Sequence, residues 1–355
     1  MAPAPNLVPS SRASAMAALG MLLSYDFWRM AVLWTLALIC SHFHLLLTAC
    51  FPCILHWHHR SRFYPRCRFS SAPDSIIKRP VCVVTGASSG LGAAAARALA
   101  FQGYHVILVG RCLQLLQKTI GEIKQQDNDA SLSVFELLIN NAGILATSCR
   151  VTSDGYDQMM QTNFIGAFVL TNLLLPLLKF SPVPSKIVNV TSFTHRCISN
   201  TDLNEGTLGA KIFDCLPTSG SYPSARTYEL SKFCLLLFSY ELHRQLHLVD
   251  PSLNISVIAA DPGVVETQIM REIPPIISEL AFKALRIMRL LQSPESGVNS
   301  IIDAALAPSD ASGEYFFGGR GRTVRSSKLS YNAQLGKNLW SRSMMLFEEV
   351  QRSFD

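Results

Sequence analysis

The chain has 355 residues, 49% of them apolar and 16% charged, with 31 Lys and Arg against 25 Asp and Glu for a net charge of +6. That composition excludes a disordered tail and a nucleic-acid-binding polycation, and the length is ample to bury a large core. The charge is local: residues 1–80 carry eight basic and two acidic side chains, the whole of the +6, while residues 81–355 balance.

Residues 1–29 read as an N-terminal tail. From Met30 to His59 there is no Asp, Glu, Lys or Arg, and the run Met30–Leu55 is 26 residues long, more than the roughly 20 a helix needs to cross a bilayer. Residues 30–55 therefore predict a single-pass transmembrane anchor. A cleaved signal peptide fits less well, because the run is long, starts late and has no small-x-small site after it. The basic cluster Arg60, Arg62, Arg66 and Arg68 follows the span and biases that side towards the cytosol, so the body is expected to face the cytosol, with the endoplasmic reticulum as the expected membrane. The ten cysteines have irregular spacing, which suggests reduced thiols. Cys50, Cys53, His56, His58 and His59 are the residue types of a zinc site. Headgroup-level His and Trp57, with cysteines as apolar filler or acylation sites, explain them as well, and no metal is expected. Residues 56–80 read as a basic linker.

Residues 81–342 form the body, followed by a tail over 343–355. Val81–Thr85 is a β-rich apolar run that feeds the glycine loop Gly86-Ala-Ser88-Ser89-Gly90-Leu91-Gly92 and then an alanine-rich helix over Ala93–Phe101. Strand, glycine loop and helix in that order suit a pyrophosphate, which backbone N–H groups and the helix dipole can hold. Tyr104–Val109 is the next strand and ends at Gly110-Arg111 with no neighbouring acid, which favours NADP(H) over NAD(H). Leu137–Gly143 (LLINNAG) runs from strand to polar turn, Ser153–Phe180 is a long helical stretch containing Asn163, and Lys186–Ser192 is a buried strand ending in a hydroxyl. Tyr228 and Lys232 open a helix over Tyr228–Leu246. Their i, i+4 spacing puts them on one face, where the ammonium can lower the phenol pKa and make tyrosine a usable proton donor.

In these motifs, TGASSGLG, NNAG, Asn163 of TNFIGAF, VNVTS, YELSK and DPGVVET (Asp261–Thr267), the chain resembles the short-chain dehydrogenase/reductase family over about residues 80–342. The fold implied is α/β, a Rossmann-type doubly wound parallel sheet preceded by the N-terminal helix. The resemblance implies Tyr228 as general acid/base, Lys232 as ribose ligand and pKa modifier, Ser192 as hydrogen-bond partner of the reacting oxygen, and Asn163 as holder of a proton-relay water. It implies a cofactor site of Gly86, Ser88, Ser89, Gly90, Leu91, Gly92, Arg111, Asn140, Ala142, Gly143, Pro262, Gly263, Val265 and Thr267 with Tyr228 and Lys232. Asn140 would lie on the adenosine side. Ser293–Gly297, Ala304–Pro308 and Gly313–Phe316 look like the retinol-dehydrogenase-like branch, which handles lipophilic alcohols and aldehydes. Ile276–Leu291 carries Lys283, Arg286 and Arg289 at every third position of an apolar helix, which suits either a lid on a membrane surface or a substrate-loop helix packed on the body.

One departure stands out. Only 28 residues separate Arg111 from Asn140, enough for one crossover of about 30 residues or fewer but not for two. The third strand and the helix after it are expected to be missing, with loss of one wall of the adenine pocket and exposure of apolar surface. The expectation is therefore a membrane-anchored NADP(H)-dependent oxidoreductase for a lipophilic alcohol and its aldehyde or ketone, retinoid- or polyprenoid-like, with membrane and small-molecule partners, no nucleic acid, and self-association left open. The alternative is a catalytically impaired, membrane-tethered binding protein or a truncated splice form.

Overall fold

The computed structural model describes residues 19–50, 62–67, 79–123, 133–203, 212–214, 222–250 and 253–352. The cysteine and histidine cluster from Cys53 to His59 lies outside them, as does most of the linker, and no group of metal-ligand residues occurs among the described residues.

Short apolar runs form parallel strands: β1 (Arg79–Thr85), β2 (His105–Val109), β3 (Ser133–Asn140), β4 (Ser185–Val190), β5 (Ile255–Asp261) and β6 (Tyr315–Phe317). They make a six-stranded sheet in the order β2-β1-β3-β4-β5-β6, every neighbouring pair parallel. In the doubly wound order a further strand would lie outside β2. Here β2 is the edge, with Ile107 and Val109 nearly half exposed, so the sheet is one strand short as the spacing required. β3 bulges at Glu136, where pairing steps from Val81 opposite Phe135 to Cys82 opposite Leu137.

Helices cover both faces. On one side α2 (Gly90–Phe101) and α7 (Asn299–Ala305) bury Ala94, Ala95, Leu99, Ile301 and Ile302 against Cys82, Val84, Ile139 and Ile258; α3 (Leu113–Ile123) follows β2. On the other, α4 (Gln158–Lys179) and α5 (Ser224–Val249) bury Phe164, Phe168, Phe233 and Phe238 against Leu138, Ile187 and Val257. The C-terminal α8 (Ala333–Arg352) fills the groove between α4 and α5, where Trp340 stacks on Phe238 with ring centroids 6.2 Å apart and meets the edge of Phe168 at 5.5 Å. Between β5 and α7, α6 (Pro275–Ile287) turns Ile277 inward and leaves Ile276 and Leu280 exposed.

The N-terminal α1 (Tyr25–Cys50) is long and apolar enough to cross a membrane over Tyr25–Leu47. One of its faces lies on the body: Ala37, Leu38, Ser41 and Leu45 are buried. Its opposite stripe, Trp28, Val32, Leu36, Ile39, Phe43 and Leu46, is exposed at helical spacing. Among the described residues Cys40, Cys67, Cys82, Cys112, Cys197 and Cys234 are free thiols. Cys149 is disulfide-bonded, which corrects the reading of all ten cysteines as reduced.

Candidate active site

The expected site residues converge at the C-terminal ends of β1, β3, β4 and β5, the edge where open α/β sheets bind ligands. The glycine loop between β1 and α2 needs its glycines. Gly86 and Gly90 have φ of +67° and +53°, a region that L side chains avoid, and a Cβ on Gly92 would collide with the Gly86 carbonyl. Ser89 caps α2 without a side-chain hydrogen bond, so the first N–H groups of the helix face outward with the dipole behind them, as an anion requires. Ser88 packs beside Gly110 at the end of β2, next to the exposed Arg111.

The Asn140–Gly143 turn is tied to this loop. Thr85 Oγ1 accepts from the N–H groups of Asn141 and Ala142, each at 3.0 Å, and Asn141 Nδ2 donates to the Thr85 carbonyl at 2.9 Å. Asn140, expected on the adenosine side, has a buried carboxamide whose Nδ2 donates to Thr171 on α4 at 2.9 Å and Asn189 on β4 at 2.8 Å, cross-linking sheet and helix, while its Oδ1 has no hydrogen-bond partner. The side chain that holds the loop is its neighbour Asn141.

Asn163 is fully buried in a π turn, Gln161–Ile165, that interrupts α4. Such turns recur at functional sites because they shift a side chain out of helical phase. Its Oδ1 accepts from Ile144 N at 2.8 Å, and its Nδ2 donates to Ile144 O at 3.0 Å and Ser231 Oγ at 2.9 Å. The amide therefore braces the segment after Gly143 against α5. A Cβ on Gly143 would stand 3.3 Å from Lys232 Nζ and 3.5 Å from Asn163 Oδ1, which shows how closely these groups gather.

Tyr228 hydrogen-bonds Ser192, and Lys232, one turn along α5, donates from Nζ to the Val190 carbonyl at 2.9 Å. Burial raises the phenol of Tyr228 above its ordinary range, the hydrogen bond from Ser192 opposes that, and Asp261 adds to it. The ammonium effect expected from the YxxxK spacing is not what dominates, because Lys232 is itself desolvated and lowered to about 8 despite Asp261. Tyr228 is thus a protonated phenol at neutral pH, with a hydroxyl beside it and a buried amine of low pKa a turn away.

From the DPGVVET run, Gly263 takes φ +71° and the Pro262 carbonyl accepts from Gln292 Nε2 at 2.7 Å. Val265 is buried, and the Thr267 methyl would meet a Cβ on Gly90 at 3.3 Å, so this run closes over the start of α2. Three contributors went unassigned in the sequence. The buried Asp261 accepts from Tyr315 O–H and from Gly263 N at 2.8 Å. His195 is buried, donates from Nδ1 to the Ser192 carbonyl at 2.7 Å and accepts at Nε2 from Ser327 N at 3.1 Å. Burial lowers it to about 3, so it stays neutral while it holds the backbone of Ser192. Trp34 of α1 packs its ring 5.5 Å from that of Tyr228.

The loop, the uncapped helix and the gathered Asn163, Ser192, Tyr228 and Lys232 fit a dinucleotide at its pyrophosphate and nicotinamide ends. The adenine end lacks the wall that a strand outside β2 would supply.

Known proteins share this family pattern and fold. The short chain dehydrogenase family profile matches residues 80–137 and again 130–197. The chain is 31% identical to human polyprenol dehydrogenase over 309 residues, 78% of this chain and 88% of the relative. It is 30% identical to mouse retinol dehydrogenase 14 over 271 residues, 66% and 76% respectively. A solved structure of an uncharacterised Mycobacterium paratuberculosis protein superposes with TM-score 0.52 at 27% identity, covering 77% of this chain and 95% of that one. A second, described as an NAD(P)-dependent gluconate 5-dehydrogenase of Beutenbergia cavernae with NADP bound, has TM-score 0.50 at 20% identity over 70% of this chain and 98% of that one and shares the fold. The chain is an oxidoreductase of the short-chain dehydrogenase/reductase family, in its retinol-dehydrogenase-like branch.

Proposed function

We propose that this protein is a membrane-associated oxidoreductase that interconverts a lipophilic alcohol with its aldehyde or ketone, using NADP(H) in preference to NAD(H). The observation that carries it is the convergence of Tyr228, Ser192 and Lys232 beside the glycine loop. Gly86, Ser88–Gly92 and Thr267 would hold the pyrophosphate, Lys232 the nicotinamide ribose, and Pro262, Gly263 and Val265 the nicotinamide; Arg111, with no acid near it, supports the 2′-phosphate of NADP. The cofactor, when bound, supplies or accepts the hydride. The chain's own part is orientation and proton traffic. In reduction the Tyr228 hydroxyl donates its proton to the carbonyl oxygen while Ser192 hydrogen-bonds that oxygen as it gains charge. The raised phenol pKa keeps Tyr228 in the donating form. Asn163 fixes the loop around them, and its second Oδ1 lone pair is the position for a relay water.

The polyprenol and retinol names of the relatives and the apolar helices support a lipophilic substrate drawn from a membrane. The body is proposed as residues 81–342, preceded by one hydrophobic helix. The basic cluster after that helix supports a cytosolic body at the endoplasmic reticulum, whereas the disulfide at Cys149 supports an oxidising compartment; protease accessibility in sealed microsomes separates the two. The missing edge strand favours a second reading, a tethered protein that no longer binds cofactor. Titration with NADPH, followed by Tyr228→Phe, tests both. Binding, with turnover of retinal or a polyprenal that falls more than about a hundredfold in the variant, supports the enzyme, and the absence of binding supports the second reading.

A further inference from the structure

A helix that only anchors a protein has no need to touch its reacting centre. α1 does so at two points. Arg29 donates from both terminal nitrogens to the two carboxylate oxygens of Glu229, at 3.1 and 2.7 Å, and Trp34 Nε1 donates to Glu229 Oε1 at 2.7 Å. The Glu229 carboxylate is 0% exposed, and an acid so buried is retained only when its bonds are satisfied. Glu229 directly follows Tyr228 on α5, so this latch sets the height of α1 relative to the phenol. One turn from Arg29, the Trp34 ring covers that of Tyr228.

The surroundings assign a purpose. Lys232 and Ser192 stand on the cofactor side of Tyr228. Tyr228 itself belongs to an apolar box of buried side chains that includes Ile144, Met159, Ile273 and Ile277, and Trp34 packs against it. A substrate whose oxygen reaches the phenol from this side has its carbon chain against these residues. The outer stripe of α1, Val32 to Leu46, is apolar and exposed, so α1 carries apolar surface both towards the box and away from it, across one helix diameter of about 10 Å.

We propose that Trp34 is a specificity-determining residue of the active site: α1 supplies a wall of the substrate box, held in place by the Arg29 and Trp34 bonds to Glu229, and the hydrocarbon part of the substrate packs on the Trp34 indole. The inference rests on Tyr228 as the proton donor. It selects long, apolar carbonyl compounds over short ones.

The test uses the full chain in liposomes with NADPH and aldehydes of one to four isoprene units. Trp34→Ala is expected to raise KM for the longest aldehyde about tenfold, the worth of a lost aromatic contact, with kcat within about threefold and little change for the shortest; Trp34→Phe restores most of the loss. A change below about twofold, or an equal loss at every chain length, overturns the proposal. A second readout is independent of catalysis. In Tyr228→Phe, binding of the four-unit alcohol should shift tryptophan emission to the blue as hydrocarbon replaces water at the indole, and adding Trp34→Phe should abolish that shift; a shift that persists overturns the wall. If instead Tyr228→Phe retains full turnover while the emission shift behaves as expected, the proton-donor reading fails and the wall stands.

Discussion

Replacing the buried lysine of the site should make the protein more stable as it destroys activity. Burial lowers Lys232 from 10.5 to about 8, and at about 1.36 kcal/mol per unit the folded state gives up about 3 kcal/mol to keep the amine charged at neutral pH. Lys232→Met removes that penalty at similar volume. It also strips the Val190 carbonyl of its 2.9 Å partner, which costs about 1–2 kcal/mol for a buried acceptor. The net is a gain of about 1–2 kcal/mol, or about 3–6 °C in Tm. The pH dependence carries the sign. Below pH 8 folded and unfolded wild type are both protonated at this site and the penalty is constant. Between about 8 and 10.5 the unfolded chain holds the extra proton, so wild-type stability from this group rises with pH. The advantage of the variant should therefore shrink through that window and reverse near its middle. Urea denaturation of cofactor-free protein at pH 7.5 and pH 10, followed by tryptophan fluorescence, measures it. A variant less stable than wild type at pH 7.5, or a difference that does not change with pH, would refute the reasoning.

Two further outcomes follow from geometry. Gly92→Ala sets a methyl against the Gly86 carbonyl and forces the phosphate loop open, so NADPH affinity by fluorescence titration should fall at least about tenfold, more than 1.4 kcal/mol, while far-UV circular dichroism stays unchanged; retained affinity would show that the loop does not hold the pyrophosphate. Reinserting a strand and helix between residues 130 and 137, taken from a relative, should cover Ile107 and Val109, raise soluble yield and tighten NADPH binding about tenfold. Unchanged binding and yield would mean that the adenine wall contributes nothing here.

The sheet, the glycine loop and the YxxxK helix were legible because each is a local pattern. A short apolar run of β-branched residues bounded by turn residues favours a buried strand, and 28 residues cannot make two crossovers, so even the missing strand was countable. What escaped depends on direction or on distance. Parallel strands bury both faces, so nothing in NNAG says that Asn140 turns inward to Thr171 and Asn189. The spacing of Tyr228 and Lys232 is silent on depth, and depth decided both pKa values. α1 reads as apolar all round, which sequence alone takes for a span. Its one informative residue, Arg29, finds its partner 200 positions away. The contacts between α1 and the surroundings of Tyr228 are thus tertiary ones that no motif records.

The π turn at Gln161–Ile165 also bears on how the chain can change. A π turn is a helix carrying one residue too many, so the two halves of α4 run out of step, each keeping its own apolar face inward: Met159 and Met160 before the turn, Phe168 and Leu178 after it. Removing a single residue there would restore a regular helix, gain a standard hydrogen-bond ladder, and rotate Asn163 by about 100° relative to whatever is held fixed. The simplest repair of the helix is therefore a lesion of the site. The irregularity thus costs the helix one regular hydrogen bond and fixes the direction in which Asn163 points.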